Sequence, residues 1–256
     1  MDSEIVKYYT ELQQKDLDNI INNSTMNYKD PRMVQQVTDH LKRISSKKFI
    51  NIDWEKVTKL KKIDFINKAL KKTGKKNPSY LEIGVYKNEN FNLVETSTKL
   101  SVDPDKNAFP TFLGTSNEFF RDNKIMFDVI LIDGLHTYEQ CQEDTINSLK
   151  HLNKNGYIFF HDFIPRNFLE EYVPRISGAW TGDVWKVSIE LAQTKGINFK
   201  VVMADHGVGF LKKIDDEVKY YDKNRKELLY KKYEDFFELN KIIEYQNAEK
   251  AFEEFI

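Results

Sequence analysis

The sequence predicts an α/β protein: a mostly parallel sheet covered by helices on both faces, with helical additions at both ends. Three observations predict it. Between residues 79 and 212, short apolar runs alternate with stretches of helical periodicity, the pattern of strands joined by crossover helices. The run Phe127-Asp128-Val129-Ile130-Leu131-Ile132-Asp133 is apolar enough to be a central strand buried on both faces. The last two apolar runs are separated only by Asp205-His206-Gly207-Val208, too short a connection for a crossover. The final strand is therefore expected to run antiparallel.

Residues 1–76 read as an N-terminal helical extension. Both VQQVTDHLKRI and WEKVTKLKKIDFINKALKK place apolar residues three and four apart, and no strand stands out. The basic stretch Lys71-Lys72-Thr73-Gly74-Lys75-Lys76 closes this zone, either touching a phosphorylated substrate or, the commoner case, as a solvated helix end. Residues 77–212 form the main domain, with strands expected at Tyr80–Val85, Leu100–Asp103, Thr111–Gly114, Phe127–Asp133, Tyr157–His161, Phe199–Ala204 and Gly209–Lys212. Helices are expected near 90–98, 116–123, 137–152 and 183–195. Residues 213–256 read as a C-terminal helical extension whose Tyr, Phe and Leu residues recur at helical spacing. Such a stripe packs on the core, or else serves as a lid or as the contact of a homo-oligomer.

Composition narrows the function classes. The chain has 256 residues, of which 40% are apolar and 31% charged, with a net charge of −1. A general nucleic-acid or anionic-membrane binder would carry a basic excess, so neither is expected as a partner. No apolar run approaches the ~20 residues of a membrane span. The N-terminus, MDSEIVKYYTELQQKD, is acidic and polar, unlike a secretory leader. Cys141 is the single cysteine and cannot form an internal disulfide, and a cytoplasmic location is expected. Its neighbours Gln140, Gln142, Glu143 and Asp144 place it in a helix, where packing is its expected role.

In an open parallel sheet, ligands bind at the carboxyl ends of the strands, near the point where strand order reverses. The residues closing each strand are rich in functional groups. The first strand ends Leu81-Glu82-Ile83-Gly84-Val85 and leads into Tyr86-Lys87-Asn88-Glu89-Asn90. A glycine at this turn lets the backbone approach a ligand closely. No Gly-x-Gly-x-x-Gly follows Gly84, which ranks a nicotinamide enzyme low. The second strand ends at Asp103, an acid placed to accept both hydroxyl protons of a ribose, or simply to form a turn before Pro104. After the third strand, Ser116 either caps the next helix or lines an adenine pocket.

The fourth and fifth strands end in Asp133-Gly134-Leu135-His136 and His161-Asp162. Charged groups closing buried strands are costly unless paired or used. Asp133, His136, His161 and Asp162 are thus expected to face one crevice. Carboxylates with an imidazole suit Mg2+ or Mn2+, and equally suit metal-free proton transfer by a histidine. The residue types leave both routes open.

Taken together, Leu81-Glu82-Ile83-Gly84-Val85, Val102-Asp103-Pro104, Gly114-Thr115-Ser116-Asn117-Glu118-Phe119-Phe120, Ile132-Asp133-Gly134-Leu135-His136-Thr137-Tyr138 and His161-Asp162 resemble the class I S-adenosylmethionine-dependent methyltransferases of the methyltransferase domain 24 type. Gly182-Asp183-Val184-Trp185-Lys186 and Asp205-x-Gly207-x-Gly209 are similar to the same group. The resemblance implies the Rossmann-like, seven-stranded methyltransferase sheet with an antiparallel last strand. It also implies S-adenosyl-L-methionine as cofactor, held by Glu82, Gly84, Asn90, Asp103, Ser116 and Asp133. Relatives that use a metal place ligands where Asp133, His161 and Asp162 stand here. One departure is Asn88, where relatives carry a second glycine; asparagine tolerates the left-handed backbone, so the turn can survive.

The expected activity is methyl transfer to a hydroxyl of a sugar or sugar nucleotide, with His136 or His161 as base beside Asp133, or with Mg2+ or Mn2+ on Asp133, His161 and Asp162. Many relatives are similar to enzymes of surface polysaccharide pathways. The long segment Pro165–Gly182, with Arg166, Arg175 and Trp180, reads as a substrate cover, and Tyr138 and Trp185 either wall a sugar ring or, as such residues more often do, pack in the core. The alternatives are another small-molecule acceptor, or a catalytically silent binding or dimerisation module.

Overall fold

A computed structural model describes residues 9–11, 48–50, 54–175 and 178–254. The periodic segment at 34–44 lies outside them. Two short strands, β1 (Tyr9–Glu11) and β2 (Lys48–Ile50), pair antiparallel, so the N-terminal zone contains strand as well as helix. Helices α1 (Trp54–Val57) and α2 (Lys62–Lys72) follow. Phe65, Ile66, Ala69 and Leu70 make one apolar face of α2 and are buried. Thr73 ends the helix and Gly74 takes φ 67, so the basic stretch does close it.

The main sheet then forms in the expected order: β3 (Tyr80–Ile83), β4 (Lys99–Asp103), β5 (Phe112–Leu113), β6 (Phe127–Ile132), β7 (Leu152–Phe160), β8 (Ile197–Met203) and β9 (Val208–Lys213). Helices α3 (Glu89–Leu93), α4 (Ser116–Asp122), α5 (Tyr138–Lys150), α6 (Phe168–Glu171) and α7 (Trp185–Leu191) connect them. The expected antiparallel last strand is present: β9 runs antiparallel to both β7 and β8.

Among the described residues the main sheet has eight strands, not seven. The C-terminal zone is not one helix but α8 (Arg225–Leu228), α9 (Tyr233–Leu239), β10 (Tyr245–Asn247) and α10 (Ala248–Glu254). β10 pairs parallel with β8 and covers that edge of the sheet, giving the order β10-β8-β9-β7-β6-β3-β4-β5. Three residues carry too little periodicity to announce a strand; the open edge of β8 supplies the partner. The aromatic stripe nonetheless packs inward. Phe236 is fully buried and meets Trp185 edge-on with ring centres 5.3 Å apart.

Alternating side chains divide the core between the two faces. Ile130, Ile132, Ile158 and Phe160 pack with Phe119, Tyr138 and Trp185 on one face. Val129, Leu131, Tyr157 and Phe159 pack with Phe65, Ile66 and Leu70 of α2 and Ala251 of α10 on the other. Burying Phe65 alone contributes roughly 1.5–3 kcal/mol. This anchorage fixes the start of α2 above the strand ends. Strand order reverses between β3 and β6, so the ligand crevice is expected at Ile83 and Ile132.

Candidate active site

A cavity of about 960 Å³ opens at that point. One end is built by the turn after β3. Gly84 takes φ 83, and a Cβ there would lie 2.2 Å from the Asp133 carbonyl oxygen. Only glycine lets β3 and β6 close this far. Asn88 takes φ 60, so the asparagine adopts the left-handed conformation that the turn requires. Asp103 ties the turn down: one carboxylate oxygen accepts from the N–H groups of Val85 (3.0 Å) and Tyr86 (3.3 Å), and the other from Asp105 (2.8 Å). Glu82 accepts from the Tyr80 hydroxyl (2.6 Å) and the Asn90 amide (2.8 Å), and burial pushes its carboxyl up to about 7. Thr115 caps α4, which leaves the buried Ser116 to the cavity wall beside Gln140 and Asp144. Burial pushes Asp144 up to about 6. Glu82, Gly84, Asn90, Asp103, Ser116 and Asp133 all line the one cavity.

The other end holds the acidic and imidazole groups. His136 Nδ1 lies 2.9 Å from the Trp180 carbonyl; a carbonyl only accepts, so Nδ1 carries the hydrogen. His136 Nε2 then faces Asp133 at 3.3 Å. The His136 ring stacks on Trp180 with centres 5.3 Å apart. Gly182 brings that loop in, since a Cβ there would collide with the His136 carbonyl. His161 Nδ1 lies 3.4 Å from both Asp133 and Asp162, and its Nε2 lies 3.6 Å from Asp205. Asp162 takes φ 64, which turns its carboxylate back toward His136 Nδ1 at 3.3 Å.

Charge sets the protonation states. For His161 burial and the Lys62 ammonium oppose the charge, but Asp162 and Asp133 outweigh them and hold the imidazole well above its usual range. His136 is raised by the same contest between burial and the carboxylates Asp133 and Asp162. Asp133 is held well below the carboxylate range: burial opposes this, and Lys62, His161 and His136 prevail.

Lys62 is a residue that sequence reasoning missed. Its Nζ lies 2.5 Å from Asp133 Oδ2, and its backbone N–H donates to Asp205 at 3.1 Å. Burial works against its charge, and Asp133, Asp205 and Asp162 outweigh that and raise it. In sequence, a lysine opening a helix among other lysines looks like a solvated face. Asp205 in sequence reads as part of a tight reversal and of a motif of the resembled group, not as a site residue; Phe163 and Ile164 donate to the Gly207 and His206 carbonyls (3.1 and 2.9 Å) and so draw that turn to the site.

The long segment after β7 divides its groups. Arg175 and Trp180 line the cavity, whereas Arg166 is held by Glu170, with Nη2 to Oε1 at 2.5 Å. Tyr138 and Trp185 are core: the Tyr138 hydroxyl donates to Glu190 at 2.7 Å, and Trp185 is fully buried. Cys141 is buried in α5. Among the described residues, ligand atoms of Asp133, His136 and Asp162 lie within 4.8 Å of one another. This trio contains His136 where His161 was expected. No helix among the described residues is long and apolar enough to cross a membrane.

Fold and cavity together define a class I, Rossmann-like architecture with its cavity at the β3–β6 switch point. Residues 38–163 match the model of a methyltransferase domain family, and the protein is an S-adenosylmethionine-dependent methyltransferase. The matched span begins well before β3 and includes the α2 segment that carries Lys62. No curated protein matches the chain. Solved structures do. An O-methyltransferase from Bacillus cereus in complex with SAH is 10% identical over 76% of this chain and 95% of its own, with a TM-score of 0.43. The SAH-bound methyltransferase PaMTH1 of Podospora anserina is 14% identical over 80% of this chain and 98% of its own, with a TM-score of 0.45. The MycE methyltransferase of the mycinamycin biosynthetic pathway, in complex with Mg and SAH, is 17% identical over 60% of this chain and 50% of its own, with a TM-score of 0.41.

Proposed function

We propose that the protein moves a methyl group from S-adenosylmethionine to a hydroxyl oxygen of a sugar or sugar nucleotide, with His136 as the base. The observation that carries this reading is the single cavity that joins Gly84, Asp103 and Ser116 at one end to Asp133, His136 and Asp162 at the other. Glu82, Gly84, Asn90, Asp103, Ser116 and Asp133 contact the cofactor. The transfer is an in-line displacement, so holding donor and acceptor in line supplies much of the acceleration. The acceptor O–H bond breaks as the O–CH3 bond forms, the proton goes to His136 Nε2, and the sulfonium becomes a neutral thioether. Asp133 and Asp162 orient His136 and stabilise the imidazolium that results. His161, already a cation between three carboxylates, is less suited to take a proton and instead holds them in place.

The sugar assignment rests on the lining. Trp180 offers an aromatic face at the cavity wall, with carboxylates and an imidazole beside it for hydroxyl groups. The inner wall carries Glu82, Asp133, Asp144, Asp162 and Asp205 against Lys62 and His161, while the exposed Lys61, Lys87 and Arg175 bring positive charge to the rim. A sugar ring fits the inner part, and the phosphates of a sugar nucleotide fit at the rim beside Lys61, Lys87 and Arg175. Calorimetry with S-adenosylmethionine, followed by an acceptor screen read as released S-adenosylhomocysteine, tests the assignment. No cofactor binding at millimolar concentration would sink the enzyme reading for this cavity. Turnover of phenolic acceptors with none of sugars would replace the sugar.

A further inference from the structure

The acidic trio has the composition of a divalent-cation site, yet its positive charge is already present in the protein. Asp133 Oδ2 is taken by the Lys62 ammonium at 2.5 Å, and Oδ1 faces His136 at 3.3 Å and His161 at 3.4 Å. An ion bridging Asp133, His136 and Asp162 would have to share Asp133 with that ammonium and would be repelled by it. The backbone that carries this ammonium is held in place. Lys62 opens α2, its backbone N–H is tied to Asp205, the N–H of Lys61 is tied to Asp64 at 2.8 Å, and Phe65 and Ile66 of the next turn are fully buried. The side chain is 18% exposed and lines the cavity, and among the described residues its ammonium has one hydrogen-bond acceptor. An ammonium has three donors, so two still point elsewhere.

We propose that Lys62 is the resident cation of the reaction centre: its ammonium stands where a metal-assisted enzyme holds a divalent ion, excludes that ion from Asp133, His136 and Asp162, and offers its remaining N–H donors to the acceptor oxygen as that oxygen loses its proton. The inference rests on reading this cluster as the reaction centre, but its main test does not need turnover. Mn2+ alone is titrated into the full chain and followed by electron paramagnetic resonance, comparing wild type with Lys62→Met and Lys62→Arg. Lys62→Met keeps the length and removes the charge. It is expected to bind Mn2+ about 10- to 100-fold more tightly than wild type, the scale on which groups touching metal ligands tune affinity. Lys62→Arg is expected to stay as weak as wild type. Equal affinity of all three overturns the proposal. So does micromolar binding by wild type, a result that needs no variant to fold. In turnover assays, Lys62→Met should lower kcat with cofactor affinity unchanged, and Lys62→Arg should recover part of the loss. A kcat that chelator abolishes in wild type overturns the proposal while leaving methyl transfer intact.

Discussion

Substituting alanine at Gly84 tests the central geometric claim, that one turn both receives the cofactor and lets β6 deliver Asp133. Two costs add. A left-handed φ of 83 penalises any L side chain by about 1–2 kcal/mol. The new Cβ would also lie 2.2 Å from the Asp133 carbonyl oxygen and 2.6 Å from Gly134 Cα, both backbone atoms that cannot rotate away. To reach ordinary contact the two strand ends must part by about 1 Å, a strain of roughly 1–3 kcal/mol. Gly74 separates the two terms. Its φ is 67, but a Cβ added there would meet nothing within 4 Å, so Gly74→Ala carries only the conformational cost. At about 2–4 °C per kcal/mol for a chain of this size, Gly84→Ala should lower Tm by about 4–20 °C, and Gly74→Ala by about 2–8 °C. Calorimetric titration should show cofactor affinity at least tenfold weaker for Gly84→Ala, equivalent to about 1.4 kcal/mol, and unchanged for Gly74→Ala. Equal Tm losses with cofactor affinity intact in both would refute the close approach and the placement of the cofactor on this turn.

Three further outcomes follow from the same contacts. Asp162→Asn keeps a side chain that tolerates φ 64 but removes the charge beside His136 and His161, so kcat should fall about 100-fold, whereas the exposed Asp105→Asn should change it less than about threefold; equal, mild losses would move the reaction centre elsewhere. Asp103→Asn trades a carboxylate that holds the Val85, Tyr86 and Asp105 N–H groups for an amide, and calorimetry should show cofactor affinity about tenfold or more weaker. Glu171, pushed up to about 8 by burial, keeps its proton in the folded chain while the unfolded chain loses it near 4.5. Unfolding therefore releases a proton between those values, stability falls as pH rises through that window, and the decline levels off above pH 8. Glu171→Gln should flatten Tm between pH 5 and 8, with the N–H of Trp185 still facing an oxygen; a wild-type Tm that rises across this range would contradict the burial argument.

The order of elements from Tyr80 to Lys213 was legible because each rests on local pattern. A strand buried on both faces must be apolar throughout, as Phe127–Ile132 is, and a helix with one buried face must repeat at three and four residues, as Phe65 to Leu70 does. The short reversal after Ala204 dictated the antiparallel β9. Strand ends were legible for a related reason: Asp103, Asp133, His136, His161 and Asp162 break apolar runs, and the rule that ligands meet parallel strands at their carboxyl ends made them a set. Asn88 could be read as a left-handed residue because it stands where the resembled family carries glycine and asparagine tolerates that backbone.

What the tertiary structure decided depends on contacts that no local pattern encodes. β10 is three residues long and exists because β8 offers an open edge. Lys62 reaches Asp133 across 71 positions, and His136, ahead of His161, joins the Asp133–Asp162 trio because φ 64 at Asp162 and the Trp180 carbonyl aim those groups. Asp205 enters through a turn whose carbonyls pair with Phe163 and Ile164. The sequence by itself determined which strand ends carry carboxylate and imidazole groups, since burial permits charge there only where it is paired or used. Which cation those carboxylates meet was decided by the packing of α2, because electrostatic pairing depends on distance and burial, and neither is a property of neighbouring letters.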